Sequence, residues 1–132
     1  MITGTSESTP YCTRFSDGTH EGFADTSTEK GGRNAGFRPP DLLEAALATC
    51  VNIAVRVYAD NHGIPLAGMT TRVELDRSRP DETVFRYDVQ FHGELTAEQK
   101  QKLSLAANAC TVRRLLSKTV RFESGVGAAS TA

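Results

Sequence analysis

The chain has 132 residues, a length that fits one domain and leaves enough chain for a real core. Fifteen Lys and Arg stand against 16 Asp and Glu, with no basic block interleaved with aromatics, so nucleic acid is not an expected partner. The N-terminal run MITGTSESTP lacks the charged and then apolar order of a secretory signal, and no stretch reads as a membrane span; a cytoplasmic protein with no membrane partner is expected.

Taken in chain order, residues 1–9 are polar and rich in Ser and Thr, and residues 124–132 end in small residues, so both read as mobile tails around an ordered core of about 11–123. Between Tyr11 and Ala24 a Tyr-Cys-Thr-Arg-Phe run and a Gly-Phe-Ala run flank Ser16-Asp17-Gly18, which predicts a short hairpin. Residues 25–38 carry three glycines and no apolar period, which predicts a loop. Pro39-Pro40-Asp41 then supplies a helix start: proline gives up no needed N–H in the first turn, and an acidic group there faces the positive end of the helix dipole.

The predicted helix is apolar nearly all round, from Leu42 through Tyr58, with polar groups confined to Glu44, Asn52, Arg56 and Asp60. Such a helix must be covered on most faces, so it is expected to be central, ending at Gly63 and Pro65. Thr71, Val73 and Leu75 alternate with charged residues, as do Phe85, Tyr87, Val89 and Phe91 with polar ones. Two half-buried strands joined by the short Ser78–Asp81 link predict an antiparallel hairpin. Thr96 and Gln99 have capping-box spacing and open a helix to about Ala107; a second helix is expected from Thr111 to Ser117, and a last strand over Val120–Glu123. Hairpin, long helix, hairpin, two helices and strand make an α+β order, in one domain spanning the chain.

Three cysteines, Cys12, Cys50 and Cys110, are too few for a secreted disulfide framework, and no CxxC pair suggests structural zinc. His20, His62 and His92 are dispersed, so neither a metal nor any other cofactor is expected. Cys50 lies mid-helix, where a free cysteine is commonly a small core residue. Cys110 lies at a helix junction beside Arg113 and Arg114, where N–H groups and cations favour a thiolate.

Residues 39–58 (PPDLLEAALATCVNIAVRVY) resemble the first cysteine motif of the OsmC/Ohr family: proline, an acidic residue, a Leu-Leu pair, small residues, then cysteine. The stretch Ala109–Leu116 (ACTVRRLL) is similar to the family's second motif, with Thr111 where proline is usual. The resemblance implies an intertwined homodimer with long central helices flanked by antiparallel sheets. It also implies a hydroperoxide reductase: Cys50 attacks the peroxide and becomes a sulfenic acid, with which Cys110 closes a disulfide. A dithiol, lipoyl-linked or free, would regenerate the pair. The Ohr branch orients its thiolate with an arginine held by a glutamate. Here Pro40 stands where that glutamate usually lies, leaving Asp41 as the nearby carboxylate; Arg14 is the first candidate cation, with Arg33 and Arg38 as alternatives. Organic hydroperoxides are expected over hydrogen peroxide because the site should be lined by the apolar helix. Two other readings keep the fold: a small-molecule or lipid carrier using an apolar cleft, and a thiol redox sensor that consumes peroxide only stoichiometrically. No role is expected for Cys12.

Overall fold

The computed structural model describes residues 1–125. Five strands and three helices run in the order β1 (Thr3–Ser6), β2 (Thr13–Ser16), β3 (Glu21–Ala24), α1 (Pro39–Asn61), β4 (Gly68–Asp76), β5 (Val84–His92), α2 (Ala97–Ala107) and α3 (Thr111–Leu116). Two antiparallel sheets result, one of β1, β2 and β3 in that order and one of β4 with β5.

The second sheet forms where alternation is strictest. Val73 pairs with Tyr87 and Leu75 with Phe85, so their side chains share the half-buried face while Arg72, Glu74, Arg86 and Asp88 point to water. Helix α1 lies against β4, α2 and α3. Its first turn is closed by Asp41, whose carboxylate accepts from the Arg38 backbone N–H at 3.0 Å and from the Arg38 guanidinium at 3.2 Å. At its other end Gly63 takes a left-handed φ of 62°, which glycine adopts at no steric cost, and the Ile64 N–H returns to the Ala59 carbonyl.

The core is one stripe of α1, Leu47, Val51, Val55 and Ala59 at four-residue spacing, packed with Ile64, Leu66, Leu103, Ala107 and Cys110. The opposite stripe of α1, Leu43, Ala46, Ile53 and Val57, is exposed, Ile53 to 65 %. The single chain therefore covers this helix on one side, not on most faces as its composition predicts. By length and composition α1 is also apolar enough to cross a membrane, contrary to the expectation that no stretch reads as a membrane span. Its Glu44, which accepts from the Leu75 N–H at 2.9 Å, and Asn52, which accepts from Thr71 at 2.7 Å, are instead used to dock it on β4.

Three further expectations differ from the structure. Thr3–Ser6, read as tail, is paired residue by residue with β2. Val120–Glu123, read as a strand, has no strand pairing, and Phe122 is 94 % exposed; the part of the C-terminal tail beyond residue 125 lies outside the described residues. The glycine-rich loop is a built element: buried Asp25 accepts from the N–H groups of Thr26, Arg33 and Ala35, and a short 3₁₀ turn spans Thr28–Lys30. Gly36 lets this loop run against β3, where a Cβ would collide with the Phe23 carbonyl.

Candidate active site

The two motif cysteines come from separate elements and meet at the start of α3. Cys50 sits half-buried in the middle of α1, and Cys110, only 1 % exposed, is the residue that precedes α3. The bond pattern joins them: the Val112 N–H donates to Cys50 Sγ at 3.4 Å, and the next N–H, that of Arg113, donates to Cys110 Sγ at 3.3 Å. Successive amides of one turn thus face one sulfur each. Both thiols are free.

Their environments differ. Burial pushes the Cys110 thiol above its ordinary pKa; the Arg113 N–H offsets part of that, and the facing Cys50 adds to it through a hydrogen bond and through charge. The expectation that helix-start N–H groups and nearby cations favour a thiolate at Cys110 is therefore reversed, because burial outweighs them. Cys50 is the more accessible of the two.

A pocket of about 900 Å³, lined by neither cysteine, opens between α1, β5, α3 and the segment after α3. Leu47, one turn before Cys50, lines it together with Leu43 and Phe85, and its polar groups include Tyr87 and Arg113. The Tyr87 hydroxyl donates to Asn108 Oδ1 at 2.6 Å and accepts from the Arg113 guanidinium at 3.1 Å. Arg113 also donates to the Asn108 carbonyl at 3.3 Å.

The other candidate residues do not join this cluster within one chain. Arg14 on β2 is ion-paired to Glu21 at 3.2 Å and Glu7 at 3.5 Å, with no hydrogen bond to either motif cysteine. Asp41 is tied to Arg38 at the first turn of α1, at 1.5 Å per residue roughly 13 Å along the axis from Cys50. The Arg38 hydrogen bond, above all, holds its carboxyl below the usual carboxylate range. Arg33 lends its backbone N–H to Asp25. Cys12 is half-buried at the edge of β2. What the sequence reading missed is the Tyr87–Asn108–Arg113 network and the buried Asp25. An Asp followed by Thr and Ser in a glycine-rich loop is the composition of an Asx turn, and could have flagged the latter.

The α+β chain thus brings a thiol in the middle of one helix and a thiol at the start of another to successive amides of a single turn. The model for the OsmC-like protein family matches residues 31–125, and the chain belongs to that family. Among solved structures it resembles an OsmC-like protein from Mycoplasma pneumoniae at TM-score 0.73 and 15 % identity, covering 90 % of this chain and 87 % of that one. It also resembles the organic hydroperoxide resistance protein OhrB of Bacillus subtilis at TM-score 0.64 and 19 % identity, covering 91 % of each chain. A third similar structure is an organic hydroperoxide resistance protein OsmC from Legionella pneumophila, at TM-score 0.62 and 20 % identity over 89 % of this chain and 88 % of that one. No curated protein matches the sequence.

Proposed function

We propose that the chain is a thiol-dependent hydroperoxide reductase in which Cys50 is the peroxidatic thiol and Cys110 resolves it. The observation that carries this reading is the pair of consecutive N–H groups, of Val112 and Arg113, that hold the two sulfurs side by side. In the first step the Cys50 thiolate attacks the terminal peroxide oxygen, the O–O bond breaks, and the alkoxide takes a proton to leave as alcohol. Cys50 is then a sulfenic acid. The Cys110 sulfur displaces its hydroxyl as water, closing a disulfide that a dithiol reduces in two exchange steps. The apolar wall of Leu43, Leu47 and Phe85 favours an organic hydroperoxide over hydrogen peroxide.

The proposal extends to a cytoplasmic homodimer. The exposed apolar stripe of α1 and a first sheet that packs mainly on itself leave Ile53, Val57 and Phe23 in water. A second copy would cover them and bring another chain's Arg14 or Asp41 within reach of Cys50. Analytical ultracentrifugation at micromolar concentration is expected to show a dimer; a monomer would remove this part.

The test of the reaction is consumption of cumene hydroperoxide with dihydrolipoamide as reductant. Wild type is expected to turn over, faster than with hydrogen peroxide, and Cys50→Ser to fall to the uncatalysed rate. The pocket's apolar lining also suits a ligand carrier. A wild type that binds an apolar ligand but consumes no peroxide would favour the carrier, and one that consumes a single equivalent would favour a redox sensor.

A further inference from the structure

We propose that Tyr87 is a positioning residue for disulfide closure: its hydroxyl ties strand β5 to both sides of the turn that carries Cys110, and so holds that thiol against Cys50. The proposal rests on the peroxidase reading above for the step that precedes closure. Three observations carry it. First, the hydroxyl is used twice. It donates to Asn108 Oδ1 at 2.6 Å, on one side of Cys110, and accepts from the Arg113 guanidinium at 3.1 Å, on the other. The same guanidinium nitrogen donates to the Asn108 backbone carbonyl at 3.3 Å, so the three residues close a ring of hydrogen bonds across the turn.

Second, the ring leads straight into the sulfur geometry. Arg113, held by its side chain, is also the residue whose backbone N–H donates to Cys110 Sγ at 3.3 Å, and the preceding N–H, of Val112, donates to Cys50 Sγ at 3.4 Å. Anchoring Arg113 limits how far these two amides, and the sulfurs on them, can drift.

Third, Tyr87 is a fixed point and α3 is not. Tyr87 pairs with Val73 across the β4–β5 hairpin and its ring packs against the core, whereas α3 is six residues long and fully buries none of them. The guanidinium carbon of Arg113 lies 5.9 Å from the Tyr87 ring centroid, a second contact to the same anchor. In the closing step the Cys110 sulfur forms a bond to the Cys50 sulfur as the S–O bond of the sulfenic acid breaks, and the thiol proton leaves with the hydroxyl as water. Cys110 is oxidised and Cys50 reduced. The rate depends on how much of the time the two sulfurs are aligned, which is what the tie governs. The preceding attack on peroxide by Cys50, carried on α1, needs no such alignment.

Single-turnover kinetics on the full chain separate the two steps. One equivalent of cumene hydroperoxide is mixed with reduced protein; its consumption reports the first step, and disulfide formation read by mass spectrometry after acid quench reports the second. Tyr87→Phe, which keeps the ring and loses the hydroxyl, is expected to consume peroxide at the wild-type rate and to close the disulfide about tenfold more slowly, within the worth of the two hydrogen bonds lost. Dimedone should then trap a sulfenic acid on Cys50. Asn108→Ala should slow closure in the same way, and Asn108→Asp, which keeps an acceptor for the hydroxyl, should restore it. Closure at the wild-type rate in Tyr87→Phe, or equal slowing of both steps, would overturn the assignment. Diamide, which oxidises a dithiol without peroxide, distinguishes the two readings: slower closure by diamide in Tyr87→Phe, in a protein whose wild type leaves cumene hydroperoxide untouched, would keep the tie and remove the peroxidase reading alone.

Discussion

Cys110→Ser is expected to stop catalysis after its first step: peroxide consumption falls from continuous turnover to about one equivalent per Cys50, and a sulfenic acid accumulates there. The reason lies in the unequal burial of the pair. Cys110, enclosed and pushed up in pKa by that enclosure, is a poor nucleophile toward anything arriving from solvent. Its useful target is the sulfur beside it. Closing the disulfide brings the two sulfurs to about 2.05 Å, so the turn that holds them must give locally, and the Val112 and Arg113 N–H bonds are the ones exchanged. Serine keeps the volume and an acceptor for the Arg113 N–H but cannot condense with a sulfenic acid. Mass spectrometry after dimedone labelling would read the adduct on Cys50 in Cys110→Ser and its near absence in wild type. Continuous turnover by Cys110→Ser at the wild-type rate, with no adduct, would show that another thiol resolves the intermediate and that burial beside Cys50 serves packing.

Legibility in the sequence followed the kind of force that builds each element. The β4–β5 hairpin and α2 were readable because their causes are local: a two-residue alternation in one case, and in the other the Thr96–Gln99 box, in which the Gln99 N–H donates to the Thr96 hydroxyl at 3.1 Å and the Gln99 side chain accepts from the Thr96 N–H at 2.9 Å. Strand β1 was unreadable for the converse reason: Thr3–Ser6 is exposed throughout and held by backbone pairing alone, so it carries no side-chain signal. Val120–Glu123 shows the opposite failure, an alternating pattern that pairs with no strand among the described residues. For α1 the composition predicted cover on most faces, but one chain supplies it to a single stripe.

The site divides in the same way. Both cysteines were legible through their motifs, whereas their approach depends on the packing of α1 against α2 and α3, which no local pattern encodes. Arg14 looked available because Glu7, one of its two carboxylate partners, lay in a segment read as tail. Arg113 entered the sequence reading only as a charge near a helix start; its bond to Tyr87 joins residues 26 apart in the chain.

Leu103→Ala is expected to cost about 2–5 kcal/mol, the largest stability loss of any single truncation in the core. Leu103 is fully enclosed, with 0 % of its surface exposed, where α2 meets the buried stripe of α1, and a close-packed interior refills such a void only in part. Leu105, two residues on and 66 % exposed, provides the control: truncating it is expected to stay within about 0.5 kcal/mol in a single chain. Urea denaturation of both variants reads the difference directly, and an equal loss at the two positions would mean that Leu105 is buried by a second copy. The same substitution bears on the chemistry. Ala107, one turn beyond Leu103, is in the core and leads through Asn108 to Cys110, so α2 sets where the second thiol stands. A cavity under Leu103 loosens that approach, and peroxide turnover is expected to fall even at urea concentrations where the variant remains folded. Full activity in a destabilised but folded Leu103→Ala would place the positioning of Cys110 on α3 and its Arg113–Tyr87 tie instead.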